Sequence, residues 1–299
     1  MDTLAISVVV STRNRDANVV LAVESVLRNS YPSFEVLVVD QSEGEETAAA
    51  MQKFVCDSRV SYTRSAEKGL SNGRNLGVRN TKGALIAVTD DDCEVASDWL
   101  QQIASAFAVN PEVGVVFGTA LAAAHDAARG LIPSYVVRSS SLTRSLLAKP
   151  GGIGACMAFR RDVWEQLGGF DSKLGAGSCF RAGEELDFAA RALLSGYHVY
   201  QTPDARVIHR GFRPLEALPA LADSYWYGTG AALIKLLKCG HLTTLPYLCT
   251  LAWAWAFHPS SIASSFGPHT SRWSRLRAFT HGMAEAAVAP VNRKRGHFA

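Results

Sequence analysis

The sequence predicts an α/β domain built on a mostly parallel central sheet flanked by helices, followed by a helical C-terminal extension. Three observations carry this. Short β-branched runs alternate with apolar residues at helical spacing over the first hundred positions, the pattern of parallel strands joined by right-handed crossovers. Apolar residues make up 48% of the 299 and charged residues 19%, enough for a sizeable core and against a disordered chain. Beyond Pro214 the strand pattern gives way to helical, aromatic-rich sequence.

Ile6–Val10 reads as a strand buried on both faces, and Val20, Val23, Val26 and Leu27 then keep helical spacing. Tyr31-Pro32-Ser33 breaks that helix. Phe34–Val39 is a second strand ending on Asp40, Thr47–Phe54 a helix, Val60–Thr63 a third strand and Asn75–Arg79 a short helix. Ala84–Thr89 is a fourth strand that runs into Asp90-Asp91-Asp92. Trp99–Val109 then reads as helix and Val113–Gly118 as strand, while residues 119–150 are rich in Ala and Ser and read as a loop. Ile153–Phe159 is a further strand, Phe188–Leu194 a helix, and Tyr197–Gln201 and Ala205–His209 two short strands. No internal repeat is visible.

The net charge of +3 is too small to make nucleic acid a partner. It is also unevenly placed: residues 272–299 carry a net +5 and the remainder −2. Six cysteines without a C-x-x-C pair exclude a zinc ribbon and predict free thiols in a reducing compartment. The N-terminus lacks a basic stretch followed by a long apolar one, which predicts no signal peptide and a cytoplasmic location.

In open α/β sheets ligands sit at the carboxyl ends of the strands, where Asp40 and Asp90–Asp92 fall. Crowded carboxylates repel, and a divalent cation relieves this; oxygen ligands favour Mg²⁺ or Mn²⁺ over zinc. The same triple could also be a solvated acidic turn. Glu184, Glu185 and Asp187 form a second acidic cluster, able either to supply a general base or merely to complement a helix N-terminus. His209 closes a strand and could complete a carboxylate metal site or be structural. Arg74 and Lys68 flank a glycine-bearing stretch and could pair with a diphosphate. P-loop, dinucleotide and serine hydrolase signatures are absent.

The order of these segments resembles glycosyltransferase family 2. Ile6–Arg15, Glu24-Ser25-Val26-Leu27, the Tyr31-Pro32 break and Phe34–Ser42 resemble its opening strands. Gly73-Arg74-Asn75-Leu76-Gly77 with Lys82-Gly83 precedes Asp90-Asp91-Asp92, which matches the family's Asp-x-Asp motif. Met157–Arg161, Gly168–Asp171, Gly183–Arg191 and Gly196-Tyr197 are similar to its acceptor-side segments, so the resemblance spans about residues 4–212. It implies a GT-A fold over residues 1–212, with a nucleotide-sugar half to about 118 and an acceptor half over 119–212; residues 213–299 follow as the extension. It further implies metal-dependent, inverting transfer from a nucleotide-diphosphate sugar, most commonly a UDP-sugar, to a glycan or lipid-linked acceptor in cell-surface glycan synthesis. Carried over by position, Ser11, Arg13 and Asp40 line the nucleotide pocket. Arg74, Asp90, Asp91, Glu184 and Asp187 join them as substrate-binding residues. Asp92, Asp90 and His209 hold Mg²⁺ or Mn²⁺, and Glu185 is the catalytic base. The chain departs from the family at Glu185, where Asp is common, at Gln41, where a second acid is common, and at Cys156, where Asn is common.

Two other classes compete. A sugar nucleotidyltransferase usually opens with a glycine-rich loop after its first strand, and Ser11–Arg15 contains no glycine. An inactive binding module would have no need to retain Asp90–Asp92, Glu185 and His209 together. In the extension, Leu242–Phe257 is apolar but only 16 residues long and contains Pro246, too short for a span of about 20. Trp253, Trp255, Phe257 and the basic tail predict either contact with the cytoplasmic face of a membrane or packing on protein, including a homodimer.

Overall fold

The computed structural model describes residues 4–148, 151–257 and 271–299, without the side chains of residues 254–257. The first strand, β1 (Ile6–Thr12), is followed by α1 (Asp16–Leu27), β2 (Phe34–Asp40), α2 (Glu46–Met51), β3 (Val60–Arg64), α3 (Leu70–Arg79) and β4 (Leu85–Asp90). The expected strands and crossovers of this half are all present. Ile6, Val8, Val9 and Val10 are completely buried, as a strand covered by helices on both faces requires; each such side chain contributes ~1.5–3 kcal/mol.

The middle of the chain adds β5 (Cys93–Val95), α4 (Trp99–Ala108), β6 (Val113–Ala122), β7 (Gly130–Leu131), β8 (Ser141–Thr143), β9 (Met157–Arg160), α5 (Arg161–Leu167), α6 (Glu184–Leu194) and β10 (His198–His209). One nine-stranded sheet results, ordered β3-β2-β1-β4-β9-β6-β10-β5, with β8 also paired to β10. Strands β1, β2, β3, β4, β6 and β10 run the same way, and β9, inserted between β4 and β6, runs against them. Their carboxyl ends therefore line up along one edge, bringing Thr12, Asp90 and His209 together.

Several sequence expectations change here. The strand expected from Ile153 starts at Met157, because Gly154–Cys156 forms a turn of 3₁₀ helix. The two short strands at 197–209 are one strand with a register shift between Gln201 and Arg206, around Pro203; proline lacks the N–H a regular ladder would use. The helix expected at Phe188 starts at Glu184. Gly183, at φ +90°, turns the chain into it, and a side chain there would come within 2.8 Å of the Gly228 carbonyl.

The extension comprises β11 (Arg213–Pro214), α7 (Leu218–Lys238), α8 (Thr244–Phe257), α9 (Arg272–Val288), β12 (Val291–Asn292) and β13 (His297–Phe298). It shares apolar clusters with the rest of the molecule: Leu233, Leu236, Tyr247 and Phe279 pack with Ala190 of α6, and the Phe298 ring stacks on Phe180 at 4.3 Å between centroids. Lys235 of α7 is fully buried between Asp171 (2.8 Å) and Asp187 (2.7 Å). Among the described residues, no helix is long and apolar enough to cross a membrane. Trp253 is exposed, and the side chains of Trp255 and Phe257 lie outside the described residues. All six cysteines are free thiols.

Candidate functional site

A cleft of about 550 Å³ opens along the carboxyl edge of the sheet. Its floor comes from the ends of β1, β4 and β10, and its walls from the loops before α3 and α6 and from α7.

On one side lie Asp90, Asp91 and Asp92. Asp92 is buried, with Oδ1 3.1 Å from His209 Nε2 and Oδ2 2.6 Å from Arg15 Nη1. His209 Nδ1 lies 2.6 Å from the Pro133 carbonyl, which can only accept, so Nδ1 carries the hydrogen. A neutral ring then points its Nε2 lone pair at Asp92 Oδ1, which has no hydrogen-bond donor of its own. Two acceptors facing each other require a proton or a cation between them. Burial raises the Asp92 carboxyl, but a protonated His209 donating to it, together with the Arg15 charge, outweighs this and holds it low. Burial likewise lowers His209, and Asp92 more than reverses the effect.

Candidate ligand atoms of Asp90, Asp92, Cys93 and His209 all lie within 4.8 Å of one another. Burial pushes the Cys93 thiol well above its ordinary range, and its soft sulfur is a poor match for a hard, oxygen-preferring cation. Two carboxylates and an imidazole oriented by a carbonyl remain, a donor set that fits Mg²⁺ or Mn²⁺. Asp91 points elsewhere, accepting from Thr12 Oγ1 (2.7 Å) and pairing with Arg15 (3.0 Å); burial nevertheless raises its carboxyl to about 6.

On the other side Arg74, only 2% exposed, reaches Glu184 at 3.3 Å, Asp90 at 3.5 Å and Glu185 at 3.7 Å, with its guanidinium 5.6 Å from the Phe170 ring centre. It joins the two acidic clusters across the cleft. Glu184 is buried, and this burial, with the charge of Glu185, pushes it up to about 8. Glu185 lines the cleft and accepts from the Gly154 N–H at 2.9 Å. A side chain at position 154 would strike Arg74 at 2.0 Å and Glu185 at 2.5 Å, so any residue but glycine there would displace both from these positions.

The structure brings Ser11, Arg13, Arg74, Asp90, Asp91, Asp92, Glu184, Glu185 and His209 to one cleft. The Ser11 hydroxyl is buried without a hydrogen-bond partner, while Arg13 pairs with Glu43 at 2.9 Å. Two expected residues stand elsewhere. Asp40 is completely buried beneath the cleft, accepting from Tyr62 Oη (2.6 Å) and the Ser42 N–H (2.8 Å); the cleft wall is Gln41, whose amide donates to the Gly69 carbonyl at 3.0 Å. The substrate contact expected of Asp187 is replaced by a structural one: fully buried, one turn into α6, it pairs with Arg191 (2.9 Å) and Lys235 (2.7 Å). The sequence reasoning overlooked Arg15 and the contribution of α7, which places Ser224, Tyr225 and Thr229 on the cleft wall. Arg15 stood legible beside the strand end; no motif marked α7.

Over 240 residues the chain is 24% identical to the glucosyl-dolichyl phosphate glucuronosyltransferase of Haloferax volcanii, covering 72% of each chain. It is 28% identical to the O-antigen biosynthesis protein RfbC of Myxococcus xanthus over 76% of this chain but only 19% of that protein. Among solved structures, the mannosyltransferase PcManGT of Pyrobaculum calidifontis, in complex with GDP-Man and Mn²⁺, superposes with a TM-score of 0.61 at 19% identity, covering 94% of this chain and 88% of that one. S. aureus TarS 1-349 gives the same TM-score at 14% identity, over 95% and 82%. These structures share the GT-A fold with this chain. The model of the family named Glycosyl transferase family 2 matches residues 7–168, the segment that carries eight of the sheet's nine strands, the acidic strand end and the loop holding Gly154, and this match over more than half the chain shows that it belongs to that family.

Proposed function

We propose that the cleft transfers a sugar from a nucleotide-diphosphate donor, a UDP-sugar in the first instance, to an acceptor hydroxyl with inversion, in the building of a cell-surface glycan or glycolipid. Arg74 is the observation that carries this reading: one buried guanidinium touches Asp90 of the donor-side cluster and Glu184 and Glu185 of the opposite side. The relatives' names and the GDP-Man and UDP-GlcNAc complexes of two structural neighbours support the donor class.

Asp92, Asp90 and His209 would hold Mg²⁺ or Mn²⁺. Such an ion supplies Lewis-acid neutralisation of the departing diphosphate. Ser11 and Arg13 bind the nucleotide, and Gln41 closes its pocket. Glu185, fixed through Gly154, accepts the acceptor proton as the new bond forms. Glu184, keeping its own proton to about 8, spares Glu185 a second like charge beside it. Trp273 and Arg272 line the groove between α8 and α9, and Trp253 and Arg277 are exposed on the same two helices, which supports contact with the cytoplasmic face of an anionic membrane.

The test is turnover. With Mn²⁺ and a panel of nucleotide sugars, wild type should release nucleoside diphosphate. Glu185→Gln should lower kcat by ~10²–10⁴ while nucleotide binding survives. A Glu185→Gln variant with unchanged kcat refutes the base; release of pyrophosphate refutes the reaction class.

A further inference from the structure

Arg15 has no part in the chemistry above, yet it lies in the middle of the acidic cluster. It stands at the end of the β1–α1 turn, just before α1 begins. Its Nη1 lies 2.6 Å from Asp92 Oδ2 and 3.0 Å from Asp91 Oδ1. The two carboxylates are nearly sealed, 5% and 8% exposed, whereas the Arg15 side chain is 38% exposed and lines the cleft. Buried carboxylates need a counter-charge, and Arg15 supplies it from a position with a route into the open cleft.

Asp92 Oδ2 is thereby held by Arg15, while Oδ1 faces His209 Nε2 without a hydrogen bond. An ion drawn to Asp92 must compete with a guanidinium already on that carboxylate. Asp91 takes no place among the clustered ligand atoms. Anchored by Thr12, it offers Arg15 a second carboxylate to hold when it leaves Asp92. We propose that Arg15 is a displaceable counter-cation: it occupies Asp92 until a divalent ion takes that oxygen, and its freed guanidinium then pairs with the diphosphate of the donor. A guanidinium meets phosphate oxygens in a bidentate geometry. Ion loading and nucleotide loading are therefore coupled, and the coupling is reciprocal. The inference rests on the reading of Asp90, Asp92 and His209 as an ion site.

The experiment measures Mn²⁺ binding to the full chain by electron paramagnetic resonance of free Mn²⁺, with and without UDP or GDP. Arg15→Gln should bind Mn²⁺ ~10-fold more tightly than wild type when no nucleotide is present, the scale of one unit charge removed at about 3 Å in a water-like dielectric. Nucleoside diphosphate should tighten Mn²⁺ binding more in wild type than in Arg15→Gln. Arg15→Lys, which keeps the charge but loses the fork, should fall between the two. Asp92→Asn reports on the site itself. If Asp92→Asn abolishes Mn²⁺ binding while Arg15→Gln binds no tighter than wild type, the role of Arg15 fails and the ion site stands. If wild type binds no Mn²⁺, or Asp92→Asn binds it undiminished, the ion site fails and the inference with it.

Discussion

Arg74→Met removes the one guanidinium that joins the two sides of the cleft, and its cost follows from burial. Arg74 is 2% exposed and Glu184 4%, so water cannot replace the lost partner. Breaking a buried pair from one side typically costs ~3–5 kcal/mol, because the remaining charge is left uncompensated. Glu184 keeps its proton to about 8 and is neutral at pH 7, so the charges left uncompensated are those of Asp90 and Glu185, which are 33% and 22% exposed, and the low end applies. At ~2 °C per kcal/mol for a chain of this size, ~3 kcal/mol lowers Tm by ~6 °C. Glu184→Gln mimics the protonated acid, so it should leave stability at pH 5 nearly unchanged. The sign with pH is fixed by the raised value. An unfolded glutamate releases its proton near 4.5, whereas the folded Glu184 keeps it to about 8. The contribution is therefore complete below pH ~4.5 and lost as pH rises toward 8. Glu184→Gln should gain on wild type steadily across that window, and Arg74→Met should cost the same in its background at pH 5, where Glu184 is protonated. Thermal unfolding of the four proteins at pH 5, 7 and 8 reads all of this. A Tm within ~2 °C of wild type for Arg74→Met, or a cost at pH 5 that differs between the two backgrounds, refutes the argument.

Asp187→Asn should act on stability rather than on chemistry, because the buried Asp187 carboxylate is paired with Arg191 and Lys235; the expected loss is ~3–5 kcal/mol in chemical denaturation. A well-folded Asp187→Asn without turnover overturns that assignment and moves the base to Asp187. His297 is lowered to about 4 by burial and by the charges of Arg191 and Lys235, so it stays neutral in the fold while an unfolded histidine protonates near 6.5. Its contribution is present above pH ~6.5 and lost as pH falls toward 4. Urea midpoints of His297→Gln should depend less on pH than wild type across that window, and parallel curves exclude the role.

The nucleotide half was legible because its information is local. Buried parallel strands read as unbroken β-branched runs, so Ile6–Val10 and Phe34–Val39 declare themselves, and the acids that follow such strands mark the ligand edge. β9 was harder. Four residues, Met157–Arg160, preceded by a 3₁₀ turn, carry no periodicity that distinguishes an antiparallel insertion from one more parallel strand. Helix α5 escaped for a similar reason, since seven residues behind Arg160 show too few apolar positions to establish a period.

Acid identity was legible, acid accessibility was not. Asp40 and Asp90 both end parallel strands, yet Asp40 turns under the cleft because Tyr62 on the neighbouring β3 donates to it, while Asp90 stays at the opening beside Arg74. Glu185 and Asp187 stand two residues apart on α6, about 200° around the helix axis, so one faces the cleft and the other the interior. What decides which faces inward is Lys235, a cation 48 residues further on in α7 with nowhere to go except between Asp171 and Asp187. The extension therefore belongs to the site's construction. Its buried lysine holds α6 in the rotation that presents Glu185, and its neighbours Ser224, Tyr225 and Thr229 form the wall opposite the donor-side acids. The cleft is thus lined in part by α7, the part of the chain on which the local motifs are silent.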